Sequence, residues 1–199
     1  MKISIISTSH QKNSQSNRVA TFFTNFIKKI DSNVKCYNLD VEEQKIPLWT
    51  SQKAENQKFW EDKFKIISAE LMSTDGFIIV VPEYGGMATP NAKNIFLVFN
   101  NGEFFHKPGL IVSISSGNGG AYPVAELRAS SYKNSHIMWI PENIIIRNVE
   151  DFHPGNHGNL IPEWMDSRIN YSCKLLIKYA ELLKPIQKII NRKDFANGM

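Results

Sequence analysis

Short runs of branched apolar residues alternate with longer stretches whose apolar positions recur every three or four residues, and this alternation continues from residue 2 to residue 184. "KISIIS" (2–7) is a short run rich in Ile, which predicts a strand covered on both faces. "RVATFFTNFIKKI" then sets Val19, Phe22, Phe23, Phe26, Ile27 and Ile30 at helical spacing, with Ser16 or Asn17 available as the cap. "NVKCYNLD" (33–40) is a less apolar strand, suited to a place near the sheet edge. Residues 54–73 read as a helix that turns Phe59, Trp60, Phe64, Ile67 and Leu71 inward. "GFIIVVP" (76–82) is the most hydrophobic strand candidate, hence central. The second half repeats the order: helix 90–100, strand 108–116, helix 122–133, strand 143–148 and a closing helix 162–184 with Pro162 at its first position.

Strands alternating with helices, five of each, predict an α/β fold with a doubly wound parallel sheet and right-handed crossovers. No repeat, low-complexity segment or linker divides the chain, so a single domain over residues 1–199 is expected. In such a sheet, ordered 2-1-3-4-5, the loops after the first, third and fourth strands converge on one crevice at the carboxyl ends of the strands.

Those three loops carry the unusual composition. "STSHQKNSQSN" (7–17) is small, polar and opens a helix, so its hydroxyls and the free N–H groups of the helix end form an anion site suited to phosphate. An ordinary capped polar loop reads equally well on that segment alone. It is neither G-x-G-x-x-G nor G-x-x-x-x-G-K-[ST], which argues against a dinucleotide Rossmann site and a triphosphatase. "VVPEYGGMATPNAKN" (80–94) ends its strand at Pro82, frees the backbone at Gly85 and Gly86, and offers Tyr84 to a flat ligand. "SSGNGG" (115–120) places three glycines just past the next strand. A phosphate loop beside two glycine loops suits a phosphorylated aromatic cofactor, and FMN is the leading candidate.

Composition narrows the rest. The net charge of +4 has no recognition motif beside it and its basic residues are scattered, so nucleic acid is not an expected partner, while a positive field draws phosphorylated small molecules. Cys36 and Cys173 match neither a zinc spacing nor a disulfide framework and read as small core residues. No positively charged, then apolar opening and no apolar run near ~20 residues is present, so a cytoplasmic setting is expected, without membrane contact. His153 and His157 lie four apart, yet Pro154, Gly155 and Gly158 make that stretch a loop, and no metal site is expected. His10 reads as a solvated loop residue beside the phosphate site, His106 and His136 carry no context, and the paired acids Glu42–Glu43, Glu61–Asp62 and Glu150–Asp151 read as surface.

Taken together, the three loops resemble those of the NADPH-dependent FMN reductase family, a flavodoxin-like group of flavin, quinone, azo-dye and chromate reductases. Its PEYNxxxPxxLKN loop is matched by Pro82, Glu83, Tyr84, Lys93 and Asn94. Its SxGxxGG region, followed by LR, is matched by Ser115, Gly117, Gly119 and Gly120 with Leu127 and Arg128. Its GSxRxxSxN loop is matched by Ser9, Ser14 and Ser16. The resemblance runs from residue 1 to about 135 and includes "IPLW" (46–49). It implies that FMN carries the chemistry, taking a hydride from NADPH or NADH and reducing a small acceptor such as free flavin, a quinone, an azo compound or a metal oxyanion. No side chain need be a nucleophile. Ser9, Gln11, Ser14, Ser16 and Asn17 would hold the phosphate end. Pro82, Glu83, Tyr84 and Gly85, with Ser115, Gly117, Asn118, Gly119 and Gly120, would hold the ring, and N–H groups of the third loop would stabilise charge on the reduced ring. A homodimer or homotetramer is implied by the resemblance alone; Trp49, Phe59 and Trp60 read first as this domain's own core.

Four positions depart from the family pattern: Thr8 replaces Gly, Gln11 replaces Arg, Gly85 replaces Asn and Phe96 replaces Asp, and the third loop is one residue short. Loss of an arginine there removes charge from a phosphate site. A non-catalytic electron carrier, or a degenerate member without FMN, is the competing reading, although the basic chain is unlike an acidic carrier. Arg128 is expected to face solvent or to bind the third loop.

Overall fold

The computed structural model describes residues 1–51, 58–153, 162–191 and 193. Among them, five strands form a parallel sheet: β1 (Lys2–Ser7), β2 (Lys35–Asp40), β3 (Gly76–Tyr84), β5 (Pro108–Ile114) and β6 (Met138–Ile146), in the order β2-β1-β3-β5-β6. A two-residue strand, β4 (Met87–Ala88), pairs antiparallel with the end of β3. With that hairpin set aside, the order of the long strands is the expected 2-1-3-4-5.

Period-two alternation in β3 builds two cores. Ile78 and Val80 join Ile3, Ile5, Leu110 and Val112 beneath α1 (Gln15–Ile30) and α6 (Glu163–Leu183). Phe77, Ile79 and Val81 join Ile6, Ile111 and Leu127 on the opposite face, beneath α2 (Lys65–Met72), α3 (Pro90–Val98) and α4 (Ala121–Ser130). All of β3 from Gly76 to Pro82 is buried, as a central strand with helices on both faces must be.

Several boundaries differ from the sequence reading, each for a local reason. Pro82 does not end β3: the strand continues to Tyr84, because beyond Val80 it has outrun β1 and has β5 alone as a long neighbour (Pro82↔Ile114), an edge position where a missing N–H is tolerated. The α1 cap is Ser14, in extended conformation and accepting from Asn17 N–H, rather than Ser16 or Asn17. β6 begins five residues before the expected Asn143, its bulge between the Gly109 and Ile111 partners admitting Pro141. The helix expected at 122–133 breaks at Ser131, and a further turn, α5 (Tyr132–Ser135), follows. Of the helix expected at 54–73, the described part opens as a π-helical turn, Phe59–Phe64, in which Trp60 packs on Phe64 and Phe64 stacks on Phe99 at 5.5 Å. Pro162 is the residue before the first turn of α6, not within it. A further turn, α7 (Ile186–Ile189), follows α6. Pro154, Gly155, His157 and Gly158 lie outside the described residues.

Candidate functional site

The carboxyl ends of β1, β3 and β5 hold the three singled-out loops, and side chains join them directly. The first loop leaves β1 at Thr8, whose hydroxyl and N–H both donate to Val80 C=O of β3, at 2.9 and 3.0 Å. Thr89, the cap of α3, donates its hydroxyl back to Thr8 C=O at 2.9 Å. Threonine at this departure from the family pattern is therefore used: its Oγ1 fastens the first loop to the second strand–loop unit.

Ser9 is buried; its Oγ accepts from Gln11 N–H at 3.1 Å and lies 2.9 Å from the Tyr84 hydroxyl. His10, exposed, meets the Tyr84 ring edge-on at 5.4 Å. Gln11 and Asn17 are exposed and Ser14 half-buried. Ser16 differs from all of these, being 1% exposed in the first turn of α1 with a hydroxyl that has no partner among the described residues. A buried hydroxyl of that kind has a strong tendency to be paired, and here it sits at the positive end of a 16-residue helix.

The second loop is a β-hairpin. Tyr84 pairs with Met87 and Glu83 with Ala88, so Gly85 and Gly86 are the two turn residues, at φ of 59° and 74°. Two successive positive φ values define the turn that matches strand twist, and glycine takes them without the Cβ cost. Gly85 is exposed, whereas Pro82 is buried and Glu83 and Tyr84 are half-buried.

The third loop is held from two sides. Glu83 Oε2 accepts from Gly120 N–H at 2.7 Å and Tyr122 N–H at 3.3 Å, at the start of α4. A Cβ on Gly119 would lie 2.3 Å from Glu83 Oε1, so a side chain there would push the carboxylate off its present position. From the other side Arg147 Nε donates to Asn118 C=O and Gly119 C=O, at 2.7 and 3.1 Å. Asn148 N–H donates to Gly117 C=O and Val149 N–H to Ser115 C=O. Ser115 Oγ accepts from Gly117 N–H at 3.3 Å. A Cβ on Gly117 would meet nothing within 4 Å, so this part of the loop faces open space.

The first and third loops are joined through residues the sequence reading passed over. Arg18 of α1 donates from Nη1 to Phe152 C=O and from Nη2 to Val149 C=O, with Gln15 Oε1 on its Nε at 2.6 Å. Burial lowers its basicity, yet a guanidinium stays charged. Arg147 and Arg18 had no motif to mark them; each acts on carbonyls that only the fold brings within reach.

Other motif residues turn out to brace the site. Asn94, 4% exposed, donates from Nδ2 to Pro47 C=O and accepts from Trp49 N–H, both at 2.8 Å, which pins the "IPLW" segment to α3. Lys93 forms an ion pair with Glu126, which also accepts from Ala88 N–H. The bonded ammonium holds the Glu126 carboxyl below its ordinary range, with the Ala88 N–H adding to the effect. Arg128 neither faces solvent freely nor binds the third loop: its Nη2 donates to Ile140 C=O and Glu142 C=O, supporting the bulged part of β6. The expectation that third-loop N–H groups are free to stabilise a reduced ring is corrected at Gly120, whose N–H donates to Glu83, and at Gly117, whose N–H donates to Ser115 Oγ.

At the opposite end of the sheet a cleft of ≈ 600 Å³ is lined by Lys2, Lys35, Tyr37, Glu70, Ser73 and Asp75. Within it Lys2 pairs with Glu70, and Asp75 pairs with Lys184 at the end of α6. No group of three or more metal-ligating side chains occurs among the described residues.

Residues 1–151 match the family model described as NADPH-dependent FMN reductase. Among curated proteins, an NADPH azoreductase of Bacillus sp. (strain OY1-2) is 23% identical over 110 residues, 55% of this chain, and the chain spans 59% of that relative's length. An oxidoreductase from Corynebacterium diphtheriae superposes with a TM-score of 0.67 at 13% identity, covering 92% of this chain and 97% of the other. An NADH:FMN oxidoreductase in its apo form gives 0.66 at 14% identity, covering 92% and 89%. The flavoenzyme NAD(P)H:(acceptor) oxidoreductase of Paracoccus denitrificans gives 0.66 at 15%, covering 92% and 98%. At such identities these structures speak for the fold alone.

Proposed function

The chain belongs to the NADPH-dependent FMN reductase family, and on that premise we propose that it is an FMN-dependent NAD(P)H oxidoreductase that delivers electrons to a small acceptor. The observation that carries the reading is the buried, unpartnered Ser16 hydroxyl at the start of α1, set where three mutually bonded loops meet. Those residues suit FMN: a hydroxyl and a helix end for phosphate, open space over Gly117 and a glycine hairpin for a flat ring.

In this reading Ser9, Gln11, Ser14, Ser16 and Asn17 hold the phosphate end. The backbone of Pro82–Gly85 and of Ser115–Gly120 frames the ring, and Tyr84 fixes the second loop against Ser9. FMN, once bound by these residues, would supply the redox chemistry between the nicotinamide nucleotide and the acceptor. The protein's part is to bind, orient and leave one ring face open; no side chain is assigned as nucleophile. Free flavin, a quinone, an azo compound or a metal oxyanion would each reach that face, with pocket shape deciding among them.

The same reading takes residues 1–199 as a single domain working in the cytoplasm, and no helix among the described residues is long and apolar enough to cross a membrane. It also takes the protein as a homodimer or homotetramer. Exposed Leu48, Met87 and Leu97, at 66%, 57% and 50%, supply apolar surface for such contacts.

The test is an absorbance spectrum of the purified protein with FMN added, then NADPH or NADH under anaerobic conditions. Bound flavin that bleaches within turnover time supports the reductase. Flavin that binds but is reduced by neither nucleotide points to a carrier, and absence of flavin binding removes the reading.

A further inference from the structure

The second and third loops are laced together by two carboxylates running in opposite directions. Glu83, from the hairpin, reaches the first N–H groups of α4, while Glu126, from α4, accepts the hairpin's Ala88 N–H. Glu126 is neutralised by Lys93. Glu83 has no ion pair among the described residues; the charge it meets is the partial positive end of α4, a 10-residue helix whose start carries no side-chain cap from its own segment. Arg147 brings the opposite charge to the same loop, on the carbonyls of Asn118 and Gly119. The third loop thus lies between a fixed anion and a fixed cation, each attached through the loop's own backbone.

A helix N-terminus aimed at a bound ring stabilises negative charge gained on reduction. A carboxylate placed on that terminus cancels the effect, and in a partly buried position its field is only weakly screened. We propose that Glu83 is a positioning residue with an electrostatic role: it locks the third loop to the hairpin and, by capping α4, makes the flavin site favour oxidised over reduced FMN. Arg147 locks the same loop with the opposite charge and opposes it. This rests on the FMN reading above.

The two effects separate because Gln in place of either residue keeps a hydrogen-bonding group while removing the charge. Three FMN-loaded proteins are compared: the parent, Glu83→Gln and Arg147→Gln. The readouts are the flavin midpoint potential, from anaerobic reductive titration against a reference dye, and affinity for oxidised FMN, from fluorescence quenching. The expected result is a more positive potential in Glu83→Gln, equivalent to roughly a tenfold rise in the ratio of reduced to oxidised FMN affinity, and a more negative one in Arg147→Gln. A loosened loop would move both variants the same way, so shifts of equal sign, or an unchanged potential in Glu83→Gln, overturn the proposal. If Glu83→Gln does not fold, Arg147→Gln decides: a negative shift supports, and no shift or a positive one overturns. A parent protein that binds no FMN removes the functional reading itself, an outcome distinct from a parent that binds FMN with variants that leave its potential unmoved.

Discussion

Ser16 and Lys107 are two buried polar side chains with opposite relations to the fold. The Ser16 hydroxyl has no partner among the described residues, so Ser16→Ala removes no hydrogen bond between them and leaves thermal stability unchanged or slightly raised. If that hydroxyl meets phosphate, the variant loses a charge-assisted hydrogen bond of about 1.5–3 kcal/mol, roughly a 10- to 100-fold weaker FMN Kd by fluorescence titration. Lys107 is 3% exposed, and its Nζ donates to Leu71, Met72 and Glu103 C=O, closing the end of α2. Burial pushes its pKa down from 10.5 to about 8, against the pull of Asp75 and Glu103. The folded chain then binds that proton less tightly than the unfolded chain, so this group adds stability as pH rises from about 8 towards 10.5. Urea midpoints of parent and Lys107→Met measured at pH 7.5 and pH 10 check the sign: the parent gains relative to the variant at the higher pH. A difference that narrows with pH would contradict it.

At the scale of elements, the site is a set of pinned loops, and the pins are legible in the sequence to different degrees. Asn94 was visible as a motif residue at a matching spacing, but its task of holding the 47–49 segment needed the fold to bring α3 beside it. Asn94→Ala leaves two backbone groups unpaired and costs about 1–3 kcal/mol, with the Trp49 amide exchanging its hydrogen faster by NMR while β3 amides keep their protection. The glycine hairpin after β3 could be read as a turn, yet not as a hairpin continuing the strand, because Pro82 signals an end wherever a strand has neighbours on both sides. The motifs set Glu83 in the second loop and left Arg128 to solvent or to the third loop. In the fold Glu83 spends its charge on α4 and Arg128 on β6, since a side chain's partner depends on which backbone groups lie within a few ångströms.

For the molecule as a whole, FMN binding and folding are coupled by mass action. At FMN a hundredfold above its Kd the stabilisation is about 2.7 kcal/mol, which raises Tm by roughly 5–11 °C for a domain of this size; calorimetry with and without FMN checks it, and Ser16→Ala reduces the increment. The sequence by itself determined the order of elements, the central place of β3, the two-faced burial and the identity of the three loops. Each of these rests on local periodicity, or on how many faces of a segment must be covered. Only the tertiary structure decided that Ser14 rather than Ser16 caps α1, freeing the Ser16 hydroxyl, and that Arg18 and Arg147 tie the 147–152 turn to the first and third loops. It likewise decided that a carboxylate occupies the start of α4. The Arg18, Arg147 and Glu83 contacts join residues from 28 to 134 positions apart; no local pattern encodes such a pairing, because it exists only once the parallel sheet has carried the ends of its strands to one edge.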